Sequence, residues 1–199
     1  VAVNTLLRPR EYTFLIGDCE AAALVYSASF AGFIKPALAD CTHRPDHVLT
    51  MEDFFVQSLS HADVLEAAPA TAMDECFWLY SSGSTGNPKG VVHPHRSMVC
   101  TSERFAANTA GLREDDTVFS VSKLFHSYGF GNAMTFPLWV GATIVLSDER
   151  VTPQMSFAMI ERFRPTVFFG VPTLYAQQLR AMETAKPDLS SLRICISAG

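Results

Sequence analysis

The sequence predicts an α/β fold of layered βαβ units with mostly parallel sheets. Three observations predict it. Short apolar runs alternate along the chain with stretches of helical apolar spacing, the rhythm of strands and helices joined by parallel crossovers. Two helix starts carry proline at the first position, Thr152-Pro153 and Pro172, where a missing N–H costs nothing. A loop rich in glycine, hydroxyls and one lysine, residues 80–90, is slung between apolar runs at 76–80 and 90–93.

Taken in order, 8–18 has helical spacing at Tyr12, Leu15 and Ile16. Residues 21–27 read as a buried strand, 30–41 as a helix, 47–51 as a short strand and 52–60 as a short helix. The Ala-, Pro- and Asp-rich stretch 61–74 is a surface connection. After the loop, 94–108 reads as a helix with Arg96 and Arg104 on its polar side. Asp115 and Asp116 turn the chain into a strand at 117–121. An apolar, partly helical stretch follows at 129–139, then a strand at 142–147. Thr152 is the expected N-cap of a helix ending near Arg164-Pro165. Residues 166–171 form a buried strand, 172–184 a helix and 192–197 the last strand. With no internal repeat, one compact layered unit is the simplest expectation.

Composition narrows the function classes. Of the 199 residues, 48% are hydrophobic and 18% charged, which excludes a disordered chain. A net charge of −5 without a Lys/Arg run argues against a nucleic-acid partner. The apolar stretch 14–34 is broken by Gly17, Asp18 and Glu20, so no membrane span is expected. Five scattered cysteines without C-x-x-C fit buried thiols in a reducing cytoplasm. A start without Met and an end at Ser197-Ala198-Gly199, just past a strand, suggest a piece of a longer chain.

Chemistry concentrates in the loop. Ser81, Ser82, Gly83, Ser84, Thr85, Gly86, Pro88, Lys89 and Gly90 follow Tyr80 closely. Glycines let the backbone approach a ligand, successive N–H groups form an anion-binding concavity, hydroxyls add donors and Lys89 adds a mobile positive charge. The arrangement is a phosphate cradle. It is neither a Walker loop, since Gly90 and not Ser or Thr follows Lys89, nor a G-x-G-x-x-G fingerprint.

A second cluster lies where ligands sit in open α/β sheets, beyond the carboxyl ends of strands. Three such ends stand out: 122–132, 170–173 and 197–199. The first carries Phe125, Tyr128 and Phe130 with Gly129 and Gly131. Rings beside glycines make a flat apolar slot suited to a planar acyl group. Ser127, Tyr128, Gly129, Ser197, Ala198 and Gly199 are the candidate substrate residues. His93 and His95 lack a Cys or carboxylate at ligand spacing and are poor metal candidates.

The cradle resembles the signature of the acyl-adenylate-forming superfamily, in which it holds the ATP phosphates while a carboxylate attacks the α-phosphorus. Ser81, Ser82, Gly83, Ser84, Thr85, Gly86 and Lys89 match by position. Lys123-Leu124-Phe125, Tyr128-Gly129, Gly131-Asn132, the run from Thr135 to Leu138, and Gly170 to Tyr175 look like the benzoate-CoA ligase group. The resemblance covers nearly the whole chain. It implies part of the large N-terminal domain of an adenylate-forming enzyme. It also implies ATP, Mg²⁺ and coenzyme A as cofactors or co-substrates, an aromatic carboxylate as substrate, catalytic roles for Lys89 and Thr85, and Thr85 as the magnesium ligand. Tyr128 and the small residue before it would line the aryl pocket. This chain carries Phe125-His126-Ser127-Tyr128 where Phe-Phe-Ala-Tyr is commoner, so a hydroxy- or aminobenzoate bonded by Ser127 or His126 competes with plain benzoate. A histidine facing away and a serine that simply admits the ring are the plainer readings. The family's later acidic magnesium site, ribose-binding aspartate and mobile C-terminal domain would follow Gly199, so these residues alone are expected to show no turnover. Competing readings are a ligase for a non-aromatic acid, an adenylation domain serving a carrier thiol, an NTPase-like phosphate binder and a non-catalytic nucleotide-binding module.

Overall fold

The computed structural model describes residues 1–81 and 87–198. Its contacts divide the chain into two units, which corrects the expectation of one. The first comprises 1–2, 72–79 and 93–199; the second comprises 3–71 and 80–92. The α/β class with parallel sheets is as the sequence predicts.

In the second unit, α1 (Pro9–Asp18) opens with Pro9 at its first position, and Glu11 reaches back to accept from the Arg8 N–H. Strands β1 (Ala23–Tyr26) and β2 (His47–Thr50) pair in parallel, Ala23 opposite His47 and Tyr26 opposite Thr50. The crossover between them contains α2 (Ala31–Ala39). Tyr12, Ile34 and Ala37 form the unit's core, with Leu24 and Tyr26 packed against them. Helix α3 (Met51–Ser58) is capped by Thr50, whose hydroxyl accepts from the Asp53 N–H at 3.0 Å.

Strands β3 (Glu75–Ser81) and β4 (Lys89–Pro94) pair with one another. The N–H of His95, just after β4, reaches the carbonyl of Asp74, just before β3, so the pair is antiparallel. Both strands run longer than the sequence suggests. Ser81 and Lys89 are strand-terminal residues, not loop residues.

The first unit holds a four-stranded parallel sheet, ordered β6 (Thr143–Val145), β5 (Thr117–Ser120), β7 (Val167–Gly170), β8 (Ile194–Ser197). Neighbouring strand residues face opposite sides, and here both sides are apolar. Phe119 and Phe168 join Met159 and Ile160 of α7 (Pro153–Phe163) and Leu174 of α8 (Pro172–Ala181). Val118, Val167 and Phe169 join Ala106 and Leu112. This two-sided cover is what parallel sheets require. Helix α7 begins as the sequence spells it, with the Thr152 hydroxyl accepting from the Met155 N–H at 3.1 Å. It ends at Arg164, whose φ of 50° is left-handed.

The predicted 94–108 helix is not continuous, and the stretch at 129–139 is broken helix, as its partly helical reading expects. After α4 (His95–Thr101) the chain passes into a π-helical turn, Ser102–Ala107. The predicted 129–139 stretch becomes α5 (Ser127–Phe130), a π-helical turn Gly131–Thr135 and α6 (Phe136–Val140). Pro137 has no N–H to donate to Ala133, so an unbroken α ladder cannot close there.

Asp116 fastens the amino ends of the strands. It is 3% exposed and accepts from the Thr166 hydroxyl at 2.6 Å and the Arg113 N–H at 2.8 Å, and it pairs with Arg193. Burial pushes its carboxyl up, but the Thr166, Arg193 and Arg113 donors outweigh burial and hold it below the usual range. Replacing Asp116 with Asn is therefore expected to cost about 2 kcal/mol in urea unfolding, because Arg193 keeps the Gly111 carbonyl but loses its charged acceptor. A depressed carboxyl stabilises the fold above its unfolded value of about 3.9. That contribution is lost as pH falls through the lower folded value. The stability gap between wild type and Asp116→Asn should thus be full at neutral pH and narrow on acidification below about pH 4.

Candidate functional site

Strands β3 and β4 flank the predicted cradle in the chain. Ser81 and Lys89, at the cradle's two ends, are both exposed. Ser82, Gly83, Ser84, Thr85 and Gly86 lie outside the described residues. One residue before Ser81, Tyr80 donates a 2.6 Å hydrogen bond to Asp18, and burial together with that carboxylate pushes its phenol up. The strand is thereby fixed just before the loop. Lower in the hairpin, Phe77 lies between two rings. His93 stacks on it at 4.7 Å and 10°, and Phe130 at 4.5 Å and 29°.

The segment predicted to meet the acyl group starts from the carboxyl end of β5. The chain turns tightly at Ser122–Lys123, where the His126 N–H bonds the Lys123 carbonyl at 3.0 Å. The Lys123 ammonium donates to the carbonyls of Ser147 at 2.7 Å and Glu149 at 3.0 Å, holding the turn to the chain that leaves β6. Gly129 then passes so close that a Cβ would lie 2.1 Å from the Lys123 carbonyl oxygen and 2.6 Å from that of Ser122. Only glycine fits, and for a reason of space.

Tyr128 connects this segment to the next two strand ends. Its hydroxyl lies 3.1 Å from the Gly170 carbonyl, at the end of β7, and 3.3 Å from the Ile196 carbonyl in β8. Its ring stands edge-on to Phe169. Burial pushes its phenol up to about 12, against an opposing pull from the Ala198 backbone. Of the predicted substrate residues, Tyr128 is thus brought to the stretch that continues into Ser197 and Ala198. Ser127, Ser197 and Ala198 are exposed and Gly129 is buried; Gly199 lies outside the described residues. The three rings predicted to line one slot meet different neighbours: Phe130 meets Phe77, Tyr128 meets Phe169, and Phe125 meets the exposed His126 at 4.5 Å.

One residue beside these strand ends was not singled out from the sequence. Tyr175 sends its hydroxyl to the same Ile196 carbonyl, at 3.1 Å. No local signal marks it, because Gly170 ends β7, Tyr175 lies in α8 and their meeting is tertiary. Asn132 is fully buried, and neither of its amide atoms has a hydrogen-bond partner. Among the described residues no helix is long and apolar enough to cross a membrane, and no group of three or more His, Cys, Asp or Glu could hold a metal ion.

These elements recur in known proteins. The AMP-binding enzyme family matches residues 1–199. A benzoate–CoA ligase of Thauera aromatica is 43% identical over 204 residues, covering all of this chain and 38% of the relative. A 4-hydroxybenzoate–CoA/benzoate–CoA ligase of Rhodopseudomonas palustris is 41% identical, with the same coverage. The crystal structure of an anthranilate CoA ligase in complex with anthranoyl-AMP superposes with a TM-score of 0.93 at 36% identity, covering 99% of this chain and 39% of that one. The chain spans about two fifths of the length of these relatives. By its sequence and its fold, the chain belongs to the AMP-binding enzyme family.

Proposed function

We propose that the full-length protein activates an aromatic carboxylate with ATP to an acyl-adenylate and passes the acyl group to coenzyme A. The observation that carries this reading is Tyr128 seated against the carboxyl ends of β7 and β8, in a segment matching relatives named as benzoate- and hydroxybenzoate-CoA ligases. The anthranoyl-AMP held by a structural relative is the kind of intermediate such a site would hold.

In the first step a carboxylate oxygen bonds to the α-phosphorus and the bond to the bridging oxygen breaks, releasing pyrophosphate. In the second, the thiolate of coenzyme A attacks the acyl carbon and AMP leaves. Backbone N–H groups and hydroxyls of Ser81, Ser82, Gly83, Ser84, Thr85 and Gly86, with the Lys89 ammonium, stabilise the charge growing on pyrophosphate. The donor set fits magnesium on phosphate, since that ion retains several waters and needs few protein ligands; Thr85 would hold it. When bound, the ion neutralises phosphate charge. Tyr128 and Gly129, with Ser197, Ala198 and Gly199, border the acyl group, and Ser127 faces a ring substituent. Five free cysteines support a reducing compartment, the cytoplasm.

The test is carboxylate-dependent exchange of labelled pyrophosphate into ATP by the full-length protein, over benzoate, hydroxybenzoates, aminobenzoates and a medium-chain fatty acid. Exchange with an aryl acid is the expected result. Exchange with the fatty acid alone would discard the aryl pocket, and no exchange at all would discard adenylation. In the same assay, Ser127→Ala is expected to lower the preference for the best hydroxy- or aminobenzoate over benzoate by about three- to tenfold, the size of one hydrogen bond. An unchanged ratio would reduce Ser127 to a small residue that admits the ring.

A further inference from the structure

Two tyrosines from different elements converge on one backbone oxygen. Tyr128, in α5, and Tyr175, in α8, both place their hydroxyls on the Ile196 carbonyl, at 3.3 and 3.1 Å. Each also lies near a carbonyl of β7: Tyr128 near Gly170 at 3.1 Å and Tyr175 near Phe168 at 3.3 Å. A carbonyl has two lone pairs and each phenol one proton; the β7–β8 ladder occupies one lone pair of Ile196, so the two hydroxyls share the other, each with a β7 carbonyl as its second acceptor. Ile196 is in β8, which among the described residues pairs with β7 and ends at Ser197.

The fold makes room for this arrangement. A Cβ on Gly170 would sit 2.6 Å from Cε2 and 2.8 Å from Cζ of Tyr175. The Tyr175 ring also stands edge-on to Phe168, at 5.5 Å and 73°. The phenol is half-buried, and burial pushes its titration up, so it remains a proton donor through the physiological range.

We propose that Tyr175 is a positioning residue for the substrate site: by holding the Ile196 carbonyl jointly with Tyr128, it fixes the exit of β8 and so the placement of Ser197 and Ala198 against the acyl group. The inference rests on the aryl-adenylation reading above. Tyr128 borders the acyl group and holds the strand as well, whereas Tyr175 acts through the strand alone. Its chemistry is expressed in binding of the acid, not in the phosphoryl transfer.

The test is Tyr175→Phe in the full-length protein, which keeps the ring and removes one hydroxyl. The KM for the preferred aryl acid is expected to rise about three- to tenfold, the range for a single neutral hydrogen bond. The kcat and the KM for ATP should stay within about twofold, as when an interaction shared by ground and transition state is lost. Amide hydrogen exchange in the peptide spanning 194–198 should quicken. A purely structural role would lower the thermal midpoint and leave both KM values in place, and that result overturns the proposal. Gly170→Ala keeps both hydroxyls but displaces the ring, and it should reproduce the raised acid KM. Because both phenols act on one oxygen, Tyr128→Phe and Tyr175→Phe together should raise the acid KM by less than the product of the single effects. Independent, multiplicative effects would also overturn the proposal. A wild-type protein that exchanges pyrophosphate with no aryl acid sinks the functional reading and the inference with it; an active wild type with an unshifted Tyr175→Phe sinks the inference alone.

Discussion

Replacing Lys89 by alanine in the full-length protein is expected to slow carboxylate-dependent pyrophosphate exchange by about a hundredfold or more, the usual loss on removing one preorganised group from a developing negative charge. The residue's place supports an effect on chemistry without one on folding. Lys89 is the first residue of β4 and is exposed. Its Cα is held by the strand while four methylenes carry the ammonium, so the charge can follow a phosphate as it departs. Trimming an exposed side chain away from packed features changes stability by no more than about 0.5 kcal/mol. The urea midpoint should therefore hold while exchange collapses. Lys89→Arg separates charge from shape. A planar, five-donor fork is not a compact point charge, so arginine is expected to recover part of the rate at most. A folded Lys89→Ala protein with undiminished exchange would remove Lys89 from the catalytic step and leave the cradle to its backbone and hydroxyls.

Local chemistry made most of the architecture legible. Val167, Phe168 and Phe169 form an uninterrupted apolar run, and the strand they make is buried on both faces. Thr152 caps and Pro153 opens α7 as their chemistry demands. Tyr128 was legible too, because a ring beside two glycines past a strand end is an unusual grouping. What was not legible depends on tertiary proximity. Nothing local in Ser102–Ala107 distinguishes a π-helical turn from a continued α-helix. Nothing near Tyr175 says that its hydroxyl meets a carbonyl twenty-one residues away. The division into two units falls across β3 and β4, through apolar runs that read as single strands. Lys123 looked like part of the acyl segment. Its ammonium instead holds two backbone carbonyls, a role set by where β6 ends.

Lys123 also determines the second large effect, that of Gly129→Ala. The added Cβ would meet two backbone oxygens, at 2.1 and 2.6 Å, and neither can rotate away as a side-chain tip would. Either the Ser122–Lys123 turn or α5 must move. The turn is held by its bond to the His126 N–H and by the Lys123 ammonium on Ser147 and Glu149. Helix α5 is short, four residues, and is the part able to yield. Its displacement draws the Tyr128 hydroxyl off Gly170 and Ile196. The expected cost is about 3 kcal/mol, overpacking added to lost hydrogen bonds. In the protein that still folds, the aryl-acid KM should rise by about tenfold if Tyr128 is the pocket wall proposed above. Gly17→Ala is the contrasting case. Gly17 lies within α1, and its added methyl would meet nothing within 4 Å. There alanine should stabilise by about 0.5–1 kcal/mol through helix propensity. Urea unfolding of both variants in the same full-length background reads the difference directly. Gly129→Ala unfolding at the wild-type midpoint would show that the turn yields more readily than its bonds imply. An unchanged acid KM in that variant would then separate Tyr128 from acid recognition.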